Sequence, residues 1–206
     1  LMSSSDTGNS ATDNITTDTT PTFTGTAPDG HFVFLSIGNG STTSVYTYTT
    51  TAGLNWYITT NSLTNGSWTA TVTHADTAGN VSSASTATIV VTDTVTGSAP
   101  TIDLDVSSDT GTSSTDNVTS DTTPTWNGSS DADAYIVLSI ADGVSTSVFT
   151  TTATSGGTWT LTTTALVAGS YTVSAVQVDS AGNTSASSTA TSIVIDNSTP
   201  STPLSA

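Results

Sequence analysis

Lysine, arginine, cysteine and glutamate are all missing from this chain of 206 residues. Without a cationic side chain, nothing can neutralise a phosphate backbone or an anionic lipid surface, so nucleic acid and anionic membranes are excluded as partners. The lack of Lys also excludes Lys–Asn isopeptide cross-links, and the lack of Cys excludes disulfides. Hydrophobic residues make up only 33% of the chain, and no apolar run is long enough to span a bilayer, so no membrane insertion is expected. A small β domain without a covalent staple needs another source of stability, and bound metal ions are the candidate.

What is present is aspartate. All 16 acidic residues are Asp, leaving a net charge of −16. A merely solubilising coat would use Glu as freely as Asp. Instead, ten Asp fall into five pairs, 6/109, 13/116, 18/121, 76/179 and 93/196, each separated by 103 positions. The repeat is ungapped over most of its length and points to two domains, residues 1–96 and 97–206, of a common domain size. Leu1 aligns with Leu104. The first copy is therefore expected to lack most of the opening strand that residues 101–106 supply in the second, and the chain reads as a fragment of a longer array.

The densest part of the repeat is a loop of the form Asp-x-Gly-x-Ser-x-x-Asp-Asn-x-x-x-Asp. It contains Asp6, Asp13, Asn14 and Asp18 in the first copy and Asp109, Asp116, Asn117 and Asp121 in the second. It offers at least five oxygens within thirteen residues, with a Gly free to take positive φ. Calcium takes six to eight oxygens and fits such a loop, with carbonyls and waters completing its shell. The spacing is neither that of an EF-hand nor that of a Gly-rich β-roll nonapeptide. Ordinary turn formation by Asp, Asn, Ser and Gly is the competing account, and duplication at fixed spacing weighs against it. Zinc and magnesium fit worse, because His31 and His74 become Ala134 and Gln177 in the second copy.

No helical patterning is present. Short β-branched and aromatic runs alternate with period two between Gly, Asn and Asp turns. In the second copy strands are expected at residues 101–106, with Ile102, Leu104 and Val106 on one face, then at 123–127, 134–140, 148–152, around Trp159 and Leu161, at 170–178 and at 189–195. The first copy is expected to follow at the repeat offset, its fourth strand at 45–51, with Trp56 and Trp159 buried. The turn Leu166-Val167-Ala168-Gly169-Ser170-Tyr171 resembles the tyrosine corner of immunoglobulin-like sandwiches, with Trp68 in place of the Tyr in the first copy. Seven strands with turn signals every eight to twelve residues make an all-β sandwich the leading fold.

Seven alternating strands would carry the chain in at one pole and out at the other, so tandem copies are expected to stack end to end. The linker 94–100 would then be flanked by Asp93 and Asp103, by Asp131 and Asp133 of one loop, and by Asp179 of another; Asp76 and Asp196 are their repeat partners. Like charges a few Å apart cost on the order of 1 kcal/mol per pair even at water-like dielectric. A divalent cation would reverse that sign and stiffen the junction.

The same residues suggest two other chemistries. Asp pairs could serve a glycosidase, but their place in repeated end loops, and two His that do not recur, argue for no enzyme. Thr-x-Thr runs such as Thr69-Ala70-Thr71-Val72-Thr73 suggest a carbohydrate- or ice-binding module with exposed aromatic or Thr faces. Thr is equally favoured on the solvent side of any amphipathic strand.

The string Asp13-Asn14-Ile15-Thr16-Thr17-Asp18-Thr19-Thr20-Pro21-Thr22-Phe23-Thr24-Gly25-Thr26 resembles the start of bacterial immunoglobulin-like repeats. So do Gly169-Ser170-Tyr171-Thr172-Val173, Asp179-Ser180-Ala181-Gly182-Asn183 and Ile193-Val194-Ile195-Asp196 before a Pro-containing linker. The resemblance covers both copies almost end to end. It implies the extender region of a giant, type I-secreted (RTX-type) adhesin of a Gram-negative surface: a calcium-rigidified, monomeric rod acting in cell adhesion and biofilm. Its partners would be neighbouring repeats of the same chain, with external ligands bound by other domains. The resemblance also implies Asp6, Asp13, Asp18, Asp76 and Asp93, with Asp109, Asp116, Asp121, Asp179 and Asp196, as Ca2+ ligands.

Overall fold

The computed structural model describes residues 1–49 and 54–202, and contains only β-structure and connecting turns among them. The chain divides into two compact units, Leu1–Val95 with Ser180–Asn183, and Thr96–Asp179 with the residues from Thr184 onward.

In the first unit the strands are β1 (Ile15–Thr16), β2 (Thr22–Thr26), β3 (Phe32–Gly38), β4 (Thr43–Thr49), β5 (Asn55–Thr59), β6 (Gly66–Ala75) and β7 (Thr88–Thr92). A five-stranded sheet runs β1-β7-β6-β3-β4, and β2 pairs with β5 in the other sheet. The second unit repeats this with β8 (Asp103–Leu104), β9 (Val118–Thr119), β10 (Thr125–Ser129), β11 (Tyr135–Ala141), β12 (Thr146–Thr152), β13 (Thr158–Thr162), β14 (Gly169–Val178) and β15 (Thr191–Ile195). Its sheets run β12-β11-β14-β15-β9 and β13-β10-β8.

Period-two alternation decides which side chains enter the core. Val33, Leu35 and Ile37 of β3 and Ile136, Leu138 and Ile140 of β11 are buried at every second position. Trp56 and Ile58, and Trp159 with Leu161, face them from the small sheet, so each unit is a two-sheet sandwich with its own core. The expected burial of both tryptophans holds.

Two differences from the expected strands have physical causes. First, the opening strand is only Asp103–Leu104, and Val106 is 66% exposed instead of sharing a face with Leu104. Asp105 turns the chain there, its Oδ1 accepting from the Ser107 N–H at 2.9 Å. Second, the aspartate loop contains a strand of its own. β1 and β9 pair in parallel with β7 and β15, in the sheet opposite to that of β8 and β10. The fourth strand of the first unit is seen at Thr43–Thr49, and the expected positions 50 and 51 lie outside the described residues.

The corner holds in both units with different chemistry. Tyr171 Oη donates to the Val167 carbonyl at 2.8 Å. Trp68 Nε1 donates to the corresponding Thr64 carbonyl at 2.9 Å, so indole takes over the task of the phenol.

Candidate metal centre

The aspartate loop is built on a buried threonine. Thr16 Oγ1 donates to the Ser5 carbonyl at 2.6 Å and accepts the Asp18 N–H at 2.9 Å. Thr119 makes the same pair of bonds to Ser108 and Asp121. Burial of this hydroxyl pins β1 and β9 against the sandwich and draws the start of the loop inward.

That inward pull buries a carboxylate. Asp6 and Asp109 are each only 5% exposed. In both, Oδ2 accepts a main-chain N–H, from Asn14 at 3.2 Å and from Asn117 at 3.1 Å. Those two Asn sit at φ 59° and 57°, a left-handed conformation that turns the N–H toward the carboxylate and that Asn tolerates. The other oxygen, Oδ1, is buried with no hydrogen-bond partner in either copy.

Most remaining aspartates act as turn caps. Oδ1 of Asp13, Asp18, Asp93, Asp116, Asp121 and Asp196 each accepts the N–H two residues on. Asp76 Oδ1 accepts two main-chain N–H groups, from Ala78 two residues on and Asn80 four residues on, both at 2.9 Å. Hydrogen bonds from the Asn80 side chain and main chain hold the Asp76 carboxyl below its ordinary value. Asp131 is bound twice by Gln177, whose Oε1 accepts the Asp131 N–H at 2.7 Å and whose Nε2 donates to Asp131 Oδ2 at 2.7 Å. Asp133 occupies a turn at φ 57°, and Asp179 follows directly on β14.

In the second unit Asp109 opens onto a cavity of about 360 Å³ lined also by Asp103, Asp105, Asn117 and Asn127, with Ser114 and Thr115. Asp105 Oδ2 accepts from Asn127 Nδ2 at 3.0 Å. Bonds from the Ser107 side chain and main chain, then from Asn127, lower the Asp105 carboxyl below its ordinary value. Asp121 stands apart from the cavity. Burial raises its carboxyl, but bonds from the Ser108 hydroxyl and from Thr123 outweigh that, and the net shift is downward. Among the described residues no three acidic or histidine side chains converge closely enough to ligate one ion by themselves. An ion held here would complete its shell with amide, hydroxyl, main-chain and water oxygens. The donor set is all oxygen, which fits a hard cation.

Asp105 and Asn127 are not among the residues expected from the sequence. Their positions in the first copy are Met2 and Thr24. The available signal was strand alternation: Asp103 and Asp105 flank the buried Leu104 and so share the opposite face.

Two sandwiches in tandem, each with an aromatic corner and a loop that crosses between sheets, define an immunoglobulin-like repeat protein. The chain belongs to the bacterial Ig-like domain family, whose model matches residues 1–94 and again 96–197. It is similar to a tetra-tandem repeat in the extending region of a large adhesion protein, with 23% identity over 89% of this chain and 48% of that one, at a TM-score of 0.41. It is also similar to a structure concerned with host cell surface retention of a 1.5-MDa bacterial ice-binding adhesin, with 18% identity over 89% of this chain and 60% of that one, at a TM-score of 0.41. A third, the BSP domain of a biofilm associated protein, has 14% identity over 90% of this chain and 29% of that one, at a TM-score of 0.32. The chain thus spans 48% to 60% of the length of the two adhesin structures. Comparison with curated protein sequences finds no match.

Proposed function

We propose that this chain is a structural, non-enzymatic extender module of a bacterial surface adhesin, and that its aspartate loops take Ca2+. The observation that carries the calcium reading is the buried, partnerless Oδ1 of Asp6, repeated at Asp109. A buried oxygen without a partner costs on the order of 1–3 kcal/mol, and more if charged. A cation beside it turns that cost into a gain. The cavity around Asp109 adds Asp103, Asp105 and two Asn amides to the same wall.

Family membership supports the extender role, as do the two repeats in tandem. The rival role, a sugar- or ice-binding platform, cannot draw on tryptophan, because Trp56, Trp68, Trp126 and Trp159 are all buried; Phe32, Tyr57 and Tyr135 are exposed. An ion that binds only the folded state stabilises it by RT ln(1+[Ca]/Kd), about 2.7 kcal/mol at a hundredfold excess over Kd.

The test is a calcium titration by calorimetry, with thermal melts and small-angle scattering in EDTA and in about 10 mM calcium, the millimolar range of extracellular modules. Binding heat, a higher melting temperature and a stiffer scattering profile with calcium are expected. Identical melts with no binding heat would overturn the calcium reading and leave the aspartates as turn caps.

A further inference from the structure

The chain has two histidines, His31 and His74, and the first repeat brings them together. Their Nδ1 atoms lie 2.9 Å apart, with ring centroids at 4.9 Å and ring planes tilted by 51°. The rings therefore meet nitrogen to nitrogen and are not stacked. Both side chains are half-buried, which leaves the pair open to water and small ions.

The backbone fixes both residues. His31 closes the turn 28–31, its N–H donating to the Pro28 carbonyl at 3.3 Å, and leads directly into β3. His74 lies on β6 opposite Val33 of β3, so both histidines stand at the same end of that strand pair. On its other side, the His74 N–H donates to the Ser82 hydroxyl at 3.0 Å, and the Ser82 N–H donates to the His74 carbonyl at 2.9 Å. Asp76 follows directly on β6 and places a carboxylate within the field of His31.

Two imidazoles so placed form a bidentate nitrogen donor. In the neutral pair one Nδ1 carries a proton and the other accepts it. When that proton moves to Nε2 of its own ring, both Nδ1 lone pairs face one point, with no net gain or loss of protons. Two nitrogens about 2.0–2.1 Å from one ion stand about 2.9 Å apart at adjacent corners of a square, and about 3.3 Å apart on a tetrahedron. The observed spacing is that of the square. Square-planar and tetragonal sites of nitrogen and oxygen suit Cu2+ or Ni2+, and Cu2+ binds the more tightly.

We propose that His31 and His74 form a transition-metal site that takes Cu2+ through both Nδ1 atoms, with water completing its shell. It is separate from the aspartate loops, whose donors are all oxygen. The ion ties the turn before β3 to the end of β6. The second repeat has no such site, because Ala134 and Gln177 stand at these positions.

The test titrates Cu2+ into the untagged chain in about 10 mM calcium, which competes for the carboxylates. Amide spectra at half an equivalent locate the paramagnetic ion, and melts are read at one equivalent. Broadening confined to amides around His31 and His74 is expected, with a higher melt for the first repeat alone. His31→Ala and His74→Gln introduce the residues that the second repeat carries, and keep all 16 aspartates. Each is expected to weaken copper binding about tenfold or more by calorimetry, since losing even a partner that supports a ligand costs that much. Equal affinity in the parent chain and both variants would overturn the proposal. So would broadening centred on the aspartate loops, a result that needs no variant to fold. The calcium reading is tested without copper and stands or falls separately.

Discussion

At the residue scale the calcium proposal rests on one buried carboxylate oxygen per repeat. Asp109→Asn keeps the side-chain volume and the Asn117 contact region while removing the buried charge. It is expected to abolish the calcium-dependent rise in melting temperature of the second repeat. In EDTA it is expected to leave that repeat as stable or more stable, because an uncompensated buried charge is gone. Calorimetric scans in both conditions check this, and a loss of stability in EDTA would mean that Asp109 is structural without an ion. The corner residues make a second comparison. Tyr171→Phe removes the phenol's hydrogen bond to the Val167 carbonyl and is expected to cost about 1 kcal/mol by denaturant titration. Trp68→Phe is expected to cost less through hydrogen bonding, because the Thr64 carbonyl also accepts from Thr92 Oγ1 at 2.6 Å.

At the element scale the opening strand and its glycine neighbour depend on each other. A Cβ at Gly128 would lie 2.0 Å from the Thr101 carbonyl oxygen and 2.7 Å from the Trp159 ring. Gly128→Ala is therefore expected to displace the segment leading into β8 and destabilise the second repeat by about 1–3 kcal/mol, measured by urea unfolding. Hydrogen-bonded turns add a pH dependence. Asp76, Asp105, Asp121, Asp142 and Asp196 all have folded-state carboxyls below the ordinary 3.8. Their unfolded forms bind protons first as pH falls. The stability they contribute is thus complete above that value and lost as pH drops through the lower folded values. Melting temperature is expected to be flat near neutral pH and to fall below about pH 4, with a shallower fall in Asp105→Asn.

At the scale of the whole molecule the two repeats are not equivalent. The first has Met2 and Thr24 where the second has Asp105 and Asn127. Both keep the buried Asp, so both are expected to respond to calcium, the second at lower concentration. Residue-resolved amide exchange during a calcium titration reads the two responses separately in the intact chain. Simultaneous protection of both loops at one concentration would contradict this ranking.

Much of the fold was legible because period-two patterning is a local property. Val33-x-Leu35-x-Ile37 and Trp159-x-Leu161 report which face is buried without any knowledge of the partner sheet. The repeat located the aspartate loops. Tertiary structure decided what local pattern does not encode. Pairing of β1 with β7 joins residues far apart in sequence, with the Val91 and Asp93 N–H groups donating to the Asn14 and Thr16 carbonyls. The same aspartate type becomes an exposed turn cap at position 13 and a buried, half-bonded carboxylate at position 6. Asp105 joined the candidate site only because β8 lies beside Asn127 of β10. Composition and spacing supplied an all-oxygen set of side chains; burial, which depends on how the two sheets pack, determined which oxygen was left without a partner.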